Sequence, residues 1–233
     1  MTERILITGS NRGIGLALVK EYLKRGANVI AACRKPDAAN DLNQLKAANS
    51  DSLTIVQLDI SNEESISNAA QSISEQFNSL DVLINNAGIN STVPEARNLG
   101  QLTNEGMGQV VVTNAIAPVI VTQALMNLLR QGTNPRMVMV SSRMGSVTHA
   151  GGNAIAYRMS KAAMNMAAKV LSQQMNGITV ITTHPGHVAT DMGGASAPVT
   201  PAQSAAGLAD VIDGLIPQQT GKFYNYTGEE IPW

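Results

Sequence analysis

The sequence predicts a single doubly wound α/β domain over residues 1–233, with a mostly parallel sheet of seven strands. Strand-like and helix-like patterns alternate almost from end to end. The strand-like runs are continuously apolar, as in parallel sheets whose two faces are both covered by helices. No linker rich in proline or serine divides the chain, so one domain is expected at this length.

Each element follows from a local pattern. Leu16, Val19 and Leu23, spaced by three and four residues, predict a helix that Gly26 ends. Ser61, with Glu64 three residues on, predicts a capping box. The predicted strands are 4–8, 28–32, 53–58, 81–84, 137–140, 178–183 and 221–226. The predicted helices are 13–25, 38–48, one after Ser61, 104–116, 118–130, 154–176 and one starting near Pro201. Segments 85–103, 142–153 and 185–200 are predicted to be irregular.

Composition excludes several classes of protein. Apolar residues make up 44% of the chain and charged residues 14%, with a net charge of −1, so we expect a globular protein that binds no nucleic acid. One cysteine, Cys33, leaves no internal disulfide and no thiolate zinc site. No uninterrupted apolar run approaches the ~18 residues of a membrane span, and no signal peptide is evident. We therefore expect a cytoplasmic protein that binds no membrane.

A glycine-rich loop separates the first predicted strand from the first helix. Its residues are Gly9-Ser10-Asn11-Arg12-Gly13-Ile14-Gly15. A turn without side chains lets the backbone approach a pyrophosphate, and the helix N-terminus supplies N–H donors. Glycine loops alone are weak evidence, since a tight turn without a ligand has the same composition.

Six motifs, taken in order, resemble the short-chain dehydrogenase/reductase family. They are Thr8–Gly15, Asn85-Asn86-Ala87-Gly88, Asn114, Ser141-Ser142, Tyr157 with Lys161 four residues later, and Pro185-Gly186. The resemblance covers essentially the whole chain and implies a Rossmann-type fold with a nicotinamide cofactor. Within the family, segments 157–163 and 223–233 resemble carbonyl reductases of the sniffer type and bacterial C-factor proteins.

The end of the second strand predicts the cofactor. An acidic residue there binds the ribose of NAD, whereas an arginine accommodates the 2′-phosphate of NADP. This strand ends in Cys33-Arg34, and Arg12 is a second basic residue, so we expect NADP(H) and no acidic side chain beside the phosphate. A solvated strand-end charge is the alternative for Arg34. By resemblance, further cofactor contacts fall on Asp59, Ile60, Asn85, Ala87, Gly88, Pro185, Gly186, Val188 and Thr190.

Tyr157 and Lys161 form the predicted catalytic pair. Their spacing places them on one helix face, and a nearby ammonium would lower the tyrosine pKa, making Tyr157 a usable general acid. An exposed helical pair is the alternative from these two residues alone. The resemblance implies that Lys161 also binds the nicotinamide ribose, that Ser142 polarises a carbonyl, and that Asn114 kinks its helix and holds a water that relays protons.

The function expected from these residues is reduction of an aldehyde or ketone by NADPH. A dinucleotide-binding sensor with little turnover is the second hypothesis, from the resemblance to C-factor. Scattered histidines at 149, 184 and 187 make no metal pattern, and no metal is expected. By analogy with the family, we expect a homodimer, or a tetramer, formed through the helices near 104–130 and 154–176. The segment 193–198 consists of small residues without a charged side chain, so it does not indicate which substrate is bound.

Overall fold

Seven parallel strands form one sheet in the order β3-β2-β1-β4-β5-β6-β7. The structure is a computed structural model that describes residues 2–90 and 93–233. The strands are β1 (Arg4–Thr8), β2 (Asn28–Cys33), β3 (Leu53–Gln57), β4 (Val82–Asn85), β5 (Arg136–Val140), β6 (Thr179–His184) and β7 (Lys222–Asn225). The predicted doubly wound fold with a seven-stranded sheet is confirmed.

Helices cover both faces of the sheet. They are α1 (Gly13–Lys24), α2 (Asn40–Ala48), α3 (Glu63–Gln76), α4 (Asn104–Val111), α5 (Ala117–Arg130), α6 (Ile155–Gln174) and α7 (Pro201–Asp213). Within β1, Ile5 and Ile7 pack in the core that α1 and α7 cover. Leu6 packs in the core that α3, α5 and α6 cover. Side chains alternate between faces along a strand, so two buried faces explain the continuously apolar runs.

The start of α3 corrects one prediction. Asn62, not Ser61, caps this helix, because the Asn62 Oδ1 accepts a hydrogen bond from the Ser65 N–H at 2.9 Å. Ser61 instead donates its hydroxyl to Asp59 at 2.6 Å. Two neighbouring residues of good capping type compete here, and the turn made by Asp59 decides between them.

The helices predicted at 104–116 and 118–130 are one continuous helical segment. A π-helical turn at Val112–Ile116 joins α4 to α5, and the Ala117 N–H donates to the Val112 carbonyl, five residues back. Pro118 lacks an N–H and would crowd the preceding turn of an α-helix, and the wider turn accommodates its ring.

This joined segment, Asn104–Arg130, is long and apolar enough by length and composition to cross a membrane. The prediction of two short helices did not anticipate that. In the fold, Val121, Leu125 and Leu129 are buried in the core beside the sheet.

The other predicted elements occur, with bounds that differ by one or two residues. Residues Pro36–Ala38 form a short 3₁₀ turn ahead of α2. The segment 85–103 contains a 3₁₀ turn at Pro94–Ala96, and its residues 91 and 92 lie outside the described part of the chain.

Candidate functional site

The predicted site residues meet at one edge of the sheet. The glycine loop follows β1, Gly88 follows β4, Ser142 follows β5 and Pro185 follows β6. In a parallel sheet the carboxyl ends of all strands lie at the same edge, and β1, β4, β5 and β6 are neighbours in the sheet. Ligands of open α/β sheets bind at this edge.

Three glycines allow the loop after β1 to turn tightly into α1. Gly9 and Gly13 have φ of +68° and +56°, a conformation that favours glycine. A Cβ on Gly15 would lie 2.1 Å from the Gly9 carbonyl oxygen. Ser10 is buried and donates its hydroxyl to the Ile7 carbonyl at 2.6 Å. Asn11 and Arg12 are exposed and Ile14 is half-buried. The N-terminus of α1 has no side-chain cap.

Thr8 and Asn86 join this loop to the segment after β4. The Thr8 hydroxyl oxygen accepts hydrogen bonds from the N–H groups of Asn86 and Ala87, both at 3.0 Å. The Asn86 amide donates to the Thr8 carbonyl at 2.9 Å. These two residues belong to the motifs recognised in the sequence, but their role in joining the segments was not predicted.

Asn85 does not present its side chain to the site. Only 1% of it is exposed, and its amide donates to the Thr122 hydroxyl of α5 at 3.0 Å. The predicted cofactor contact of Asn85 is therefore wrong for its side chain, because this last residue of β4 faces the helix layer.

Ser142 and Tyr157 are neighbours in the structure. The Ser142 hydroxyl oxygen accepts a hydrogen bond from the Met144 N–H at 3.2 Å, within a short 3₁₀ turn. Burial raises the pKa of Tyr157, and a hydrogen bond with Ser142 offsets part of that rise. The Tyr157 hydroxyl is therefore protonated at neutral pH and can donate.

Lys161 is buried one helical turn after Tyr157. Its Nζ donates to the Val140 carbonyl at 2.9 Å and lies 5.8 Å from the centre of the Tyr157 ring. Burial lowers the pKa of Lys161 to about 8. The expected lowering of the Tyr157 pKa by this ammonium is wrong for this arrangement, because burial of the phenol dominates and the ammonium bonds to a backbone carbonyl.

Asn114 lies within the π turn and is fully buried. Its Oδ1 accepts from the Ile89 N–H at 2.8 Å, and its amide donates to the Ile89 carbonyl at 2.7 Å and to the Ser160 hydroxyl at 3.0 Å. A Cβ on Gly88 would lie 3.0 Å from the Asn114 Oδ1 and 3.6 Å from the Lys161 Nζ. Asn114 thus ties the segment after β4 to α6, close to Lys161.

Arg34 is exposed at the end of β2, with a carboxylate near it. The carboxylate of Asp59 accepts hydrogen bonds from the Ser61 hydroxyl and N–H. The Ser61 hydroxyl bond is the main cause of the lowered Asp59 pKa, and the charge of Arg34 contributes. The expectation that no acidic side chain lies near the arginines is therefore wrong.

Ile60 is buried, and burial raises the pKa of the Cys33 thiol.

The loop after β6 reaches the glycine loop. Asp191 forms an ion pair with Arg12, and the Thr190 methyl carbon lies 3.4 Å from the point that a Cβ on Gly13 would occupy. Ser204 donates its hydroxyl to the Pro185 carbonyl at 2.6 Å. Gly186 has φ of +87°, and Val188 is buried and pairs with Val199. The cofactor-binding residues predicted in the glycine loop after β1 and those predicted in the loop after β6 therefore lie next to each other in the structure.

The three histidines have different hydrogen-bond partners and different exposure. His149 Nδ1 is 3.2 Å from the Ser146 hydroxyl, His187 Nε2 is 2.8 Å from the Gly193 carbonyl, and His184 is largely buried at the end of β6. Among residues 2–90 and 93–233, no three His, Cys, Asp or Glu side chains form a group that could hold a metal ion.

The residues present fit a phosphorylated dinucleotide. The uncapped N-terminus of α1 offers backbone N–H donors, and a Cβ on Gly9 would lie 2.9 Å from the Ala87 Cα, so both segments need their small residues. Arg12 and Arg34 are exposed cations on the side of β1 and β2. Such donors and charges suit phosphate groups.

Comparison with known proteins agrees with this arrangement. The sequence profile of the short chain dehydrogenase family matches residues 3–199. C-signal of Myxococcus xanthus is 43% identical over 157 residues, which cover 66% of this chain and 93% of C-signal. An oxidoreductase of Schizosaccharomyces pombe is 35% identical over 248 residues, covering 97% of this chain and 96% of that protein.

Solved structures of carbonyl reductases share the fold along the whole chain. The NADPH-bound carbonyl reductase from chicken fatty liver is 34% identical with a TM-score of 0.92, covering 100% of this chain and 99% of that one. Sniffer, the carbonyl reductase of D. melanogaster, is 31% identical with a TM-score of 0.93, and the match covers 100% of both chains.

Proposed function

The chain belongs to the short-chain dehydrogenase/reductase family, and from that premise we propose that it reduces the carbonyl of an aldehyde or ketone with NADPH. One observation carries the proposal. Ser142, Tyr157, Lys161 and Asn114, which come from three separate segments, are buried or half-buried around the carboxyl ends of β4 and β5. The glycine loop lies beside them, joined through Thr8 and Asn86.

Tyr157 acts as the general acid in this proposal. Because burial raises its pKa, its hydroxyl keeps its proton at neutral pH and can pass it to the carbonyl oxygen. A protonated phenol suits reduction better than the reverse reaction, in which the same oxygen would have to accept a proton. When bound, the nicotinamide supplies the hydride for the carbonyl carbon.

Ser142, Lys161 and Asn114 support that proton transfer. The Ser142 oxygen already accepts a bond from Met144, which leaves its O–H free to donate to the substrate oxygen or to Tyr157. Lys161 and Asn114 flank Gly88, where they would resupply the proton to Tyr157, and Lys161 would also bind the nicotinamide ribose.

NADP(H) is the proposed cofactor. Arg34, Arg12 and the N-terminus of α1 would hold its phosphates. Asp59, Ile60, Ala87 and Gly88 would contact the adenosine and ribose, and Pro185, Gly186, Val188 and Thr190 the nicotinamide. The chicken and Pseudomonas aeruginosa carbonyl reductases were solved with NADPH or NADP bound, which supports this assignment.

The Tyr157→Phe variant tests the proposal, because it removes the hydroxyl and keeps the ring. With NADPH and a panel of aldehydes and ketones, we expect kcat to fall by about 10²–10⁴-fold, the range of lost general acid catalysis. The Kd for NADPH, measured by fluorescence titration, should change little. Tyr224→Phe, which removes a hydroxyl bonded to Gln219, is the matched control. Near wild-type turnover in Tyr157→Phe would eliminate this mechanism.

The similarity to C-signal favours a second candidate, a dinucleotide-binding sensor with little turnover. A sensor would bind NADPH tightly and reduce no member of the panel. Its biological effect would also survive Tyr157→Phe, whereas the effect of an enzyme would not. We further propose that the protein is cytoplasmic and that it forms a homodimer. The exposed apolar residues of α6 support the homodimer.

A further inference from the structure

Acidic residues are absent from a long stretch of the sequence. Between Glu105 and Asp191 there is no aspartate or glutamate, although six basic residues occur, namely Arg130, Arg136, Arg143, Arg158, Lys161 and Lys169. The whole chain has 16 basic and 17 acidic residues. All of the acidic residues and ten of the basic ones therefore lie outside this stretch. The stretch is positively charged although the whole chain has a net charge of −1.

The fold brings part of this positive stretch to the candidate site. Arg143 directly follows Ser142 at the end of β5 and is exposed. His184 ends β6, and Ser141 donates its N–H to the neighbouring Thr183 carbonyl at 2.7 Å. Burial, together with the nearby charges of Arg143 and His187, lowers the pKa of His184 to about 4. Arg143 and His187 thus both lie near His184, where β5 and β6 end side by side.

Arg143 has no acidic partner in the described part of the chain. Its side chain takes part in none of the ion pairs found there, whereas Arg12 pairs with Asp191 and Arg25 pairs with Glu21, Asp210 and Asp213. An exposed guanidinium beside a reacting group, with no carboxylate to neutralise it, is available to an anion from solution.

The cofactor phosphates do not account for this charge. The residues that would hold them lie at β1 and β2, whereas Arg143 follows β5, which β4 separates from β1. Strands are about 4.8 Å apart, so β5 lies about 10 Å from β1 and about 15 Å from β2. Ser142, which would hold the substrate carbonyl, is adjacent to Arg143 in the chain.

We propose that the substrate carries a carboxylate about one benzene ring away from its carbonyl group and that Arg143 binds this carboxylate. This inference rests on the proposed function, since it assigns the substrate class of the same site. A planar guanidinium can donate two parallel hydrogen bonds to a carboxylate, which would orient the carbonyl toward Ser142 and Tyr157.

A matched pair of substrates tests the inference. The probes are 4-carboxybenzaldehyde and its methyl ester, which differ by one negative charge. With NADPH, we expect kcat/KM to be about 5- to 20-fold higher for the carboxylate, the range of a partly exposed charge-assisted contact. Arg143→Gln should remove most of this preference, measured as the ratio of the two kcat/KM values. Higher salt should reduce the preference of the wild type.

Arg130→Gln is the control. It removes the same charge from the last residue of α5, at the opposite edge of the sheet, and should leave both the ratio and the turnover of the ester unchanged. Equal kcat/KM values for the two probes in the wild type, or an unchanged ratio in Arg143→Gln, would overturn the inference.

A binding measurement separates this inference from the proposed function. Calorimetric titration of the two probes into the protein with oxidised NADP needs no turnover. If neither probe is reduced by NADPH but the carboxylate binds more tightly and only through Arg143, the proposed reaction fails while the carboxylate site stands. If both probes are reduced and bind equally well, the reaction stands and the carboxylate site is rejected.

Discussion

Lys161 carries a charge in a place that disfavours charge. Its side chain is almost fully buried, and its bonds go to the Val140 carbonyl at 2.9 Å and to the Met164 sulfur at 3.9 Å. Burial lowers its pKa from 10.5 to about 8. A residue kept in its site at a cost in stability is typical of functional positions.

We predict that Lys161→Met changes how stability depends on pH. The folded pKa is the lower one, so between pH 8 and 10.5 the unfolded chain holds the proton more tightly, and stability rises with pH there. Below pH 8 the full cost of the buried charge is present. Urea unfolding from pH 7 to 10 should show a wild-type rise of up to about 3 kcal/mol that is absent from the variant.

Lys169→Met, an exposed lysine on the same helix, serves as the control and should keep the wild-type rise. A rise of the same size in Lys161→Met would show that this lysine titrates as an ordinary one.

Arg34 is the residue on which the preference for NADPH depends in our proposal. Its exposure and the nearby Asp59 limit what one contact contributes, so we expect Arg34→Ala to raise the KM for NADPH by about tenfold, or about 1.4 kcal/mol. The KM for NADH should not change. Steady-state kinetics with both cofactors measures the difference.

Lys35→Ala removes a charge one residue away and should affect both cofactors little. Equal losses for NADPH in Arg34→Ala and Lys35→Ala would point to the general field of the strand end instead of a specific contact.

At the scale of elements, the π turn between α4 and α5 positions Asn114. π turns are rare in proteins, and those that occur are often found at functional sites. This one places the fully buried amide of Asn114 between the segment after β4 and α6. Because the same turn accommodates Pro118, the helical segment continues to Arg130 without a break.

Helix α6 has two different faces. Its buried side includes Lys161, Met164 and Ala168. Its outer side exposes Met159, Met166 and Val170, by 49%, 65% and 45%, at spacings of seven and four residues that place them on one stripe. Exposed apolar stripes of this kind mark protein interfaces.

We predict that Met166→Glu weakens the proposed homodimer, because it places a charge in the middle of the stripe. Sedimentation equilibrium at micromolar concentration should show a dimer for the wild type and a shift toward monomer for the variant. Asn68→Glu, an exposed position on α3, should leave association unchanged. A wild type that is monomeric throughout this range would disprove the dimer.

At the scale of the whole molecule, the two edges of the sheet carry different kinds of residues. At the amino edge, charged pairs connect distant segments: Arg136 pairs with Glu3 and donates to the Ile212 carbonyl, and Arg25 of α1 pairs with Asp210 and Asp213 of α7. At the carboxyl edge lie the glycine loop, the hydroxyls of Ser142 and Tyr157, and Arg143. Apart from the pair between Arg12 and Asp191 at the glycine loop, these ion pairs therefore lie away from the candidate site.

Local patterns in the sequence were sufficient for the order of elements and the parallel sheet, whereas the motif residues of the site were identified by their resemblance to the short-chain dehydrogenase/reductase family. Apolar runs, helical spacing and glycine turns act over a few residues, and the fold class follows from their alternation. Glycines 9, 13 and 15 were identifiable because backbone turns of this kind depend on neighbours in the chain.

Tertiary structure alone decided the environments of the site residues. The direction in which Lys161 donates, the burial of Tyr157, the turn of Asn85 toward Thr122 and the position of Asp59 near Arg34 all depend on contacts between distant segments. A pKa or a hydrogen-bond partner reflects everything within a few ångströms in space, whereas a sequence motif records only what is near along the chain. For the same reason, the proximity of Arg143 to His184 became apparent only when the ends of β5 and β6 were placed side by side.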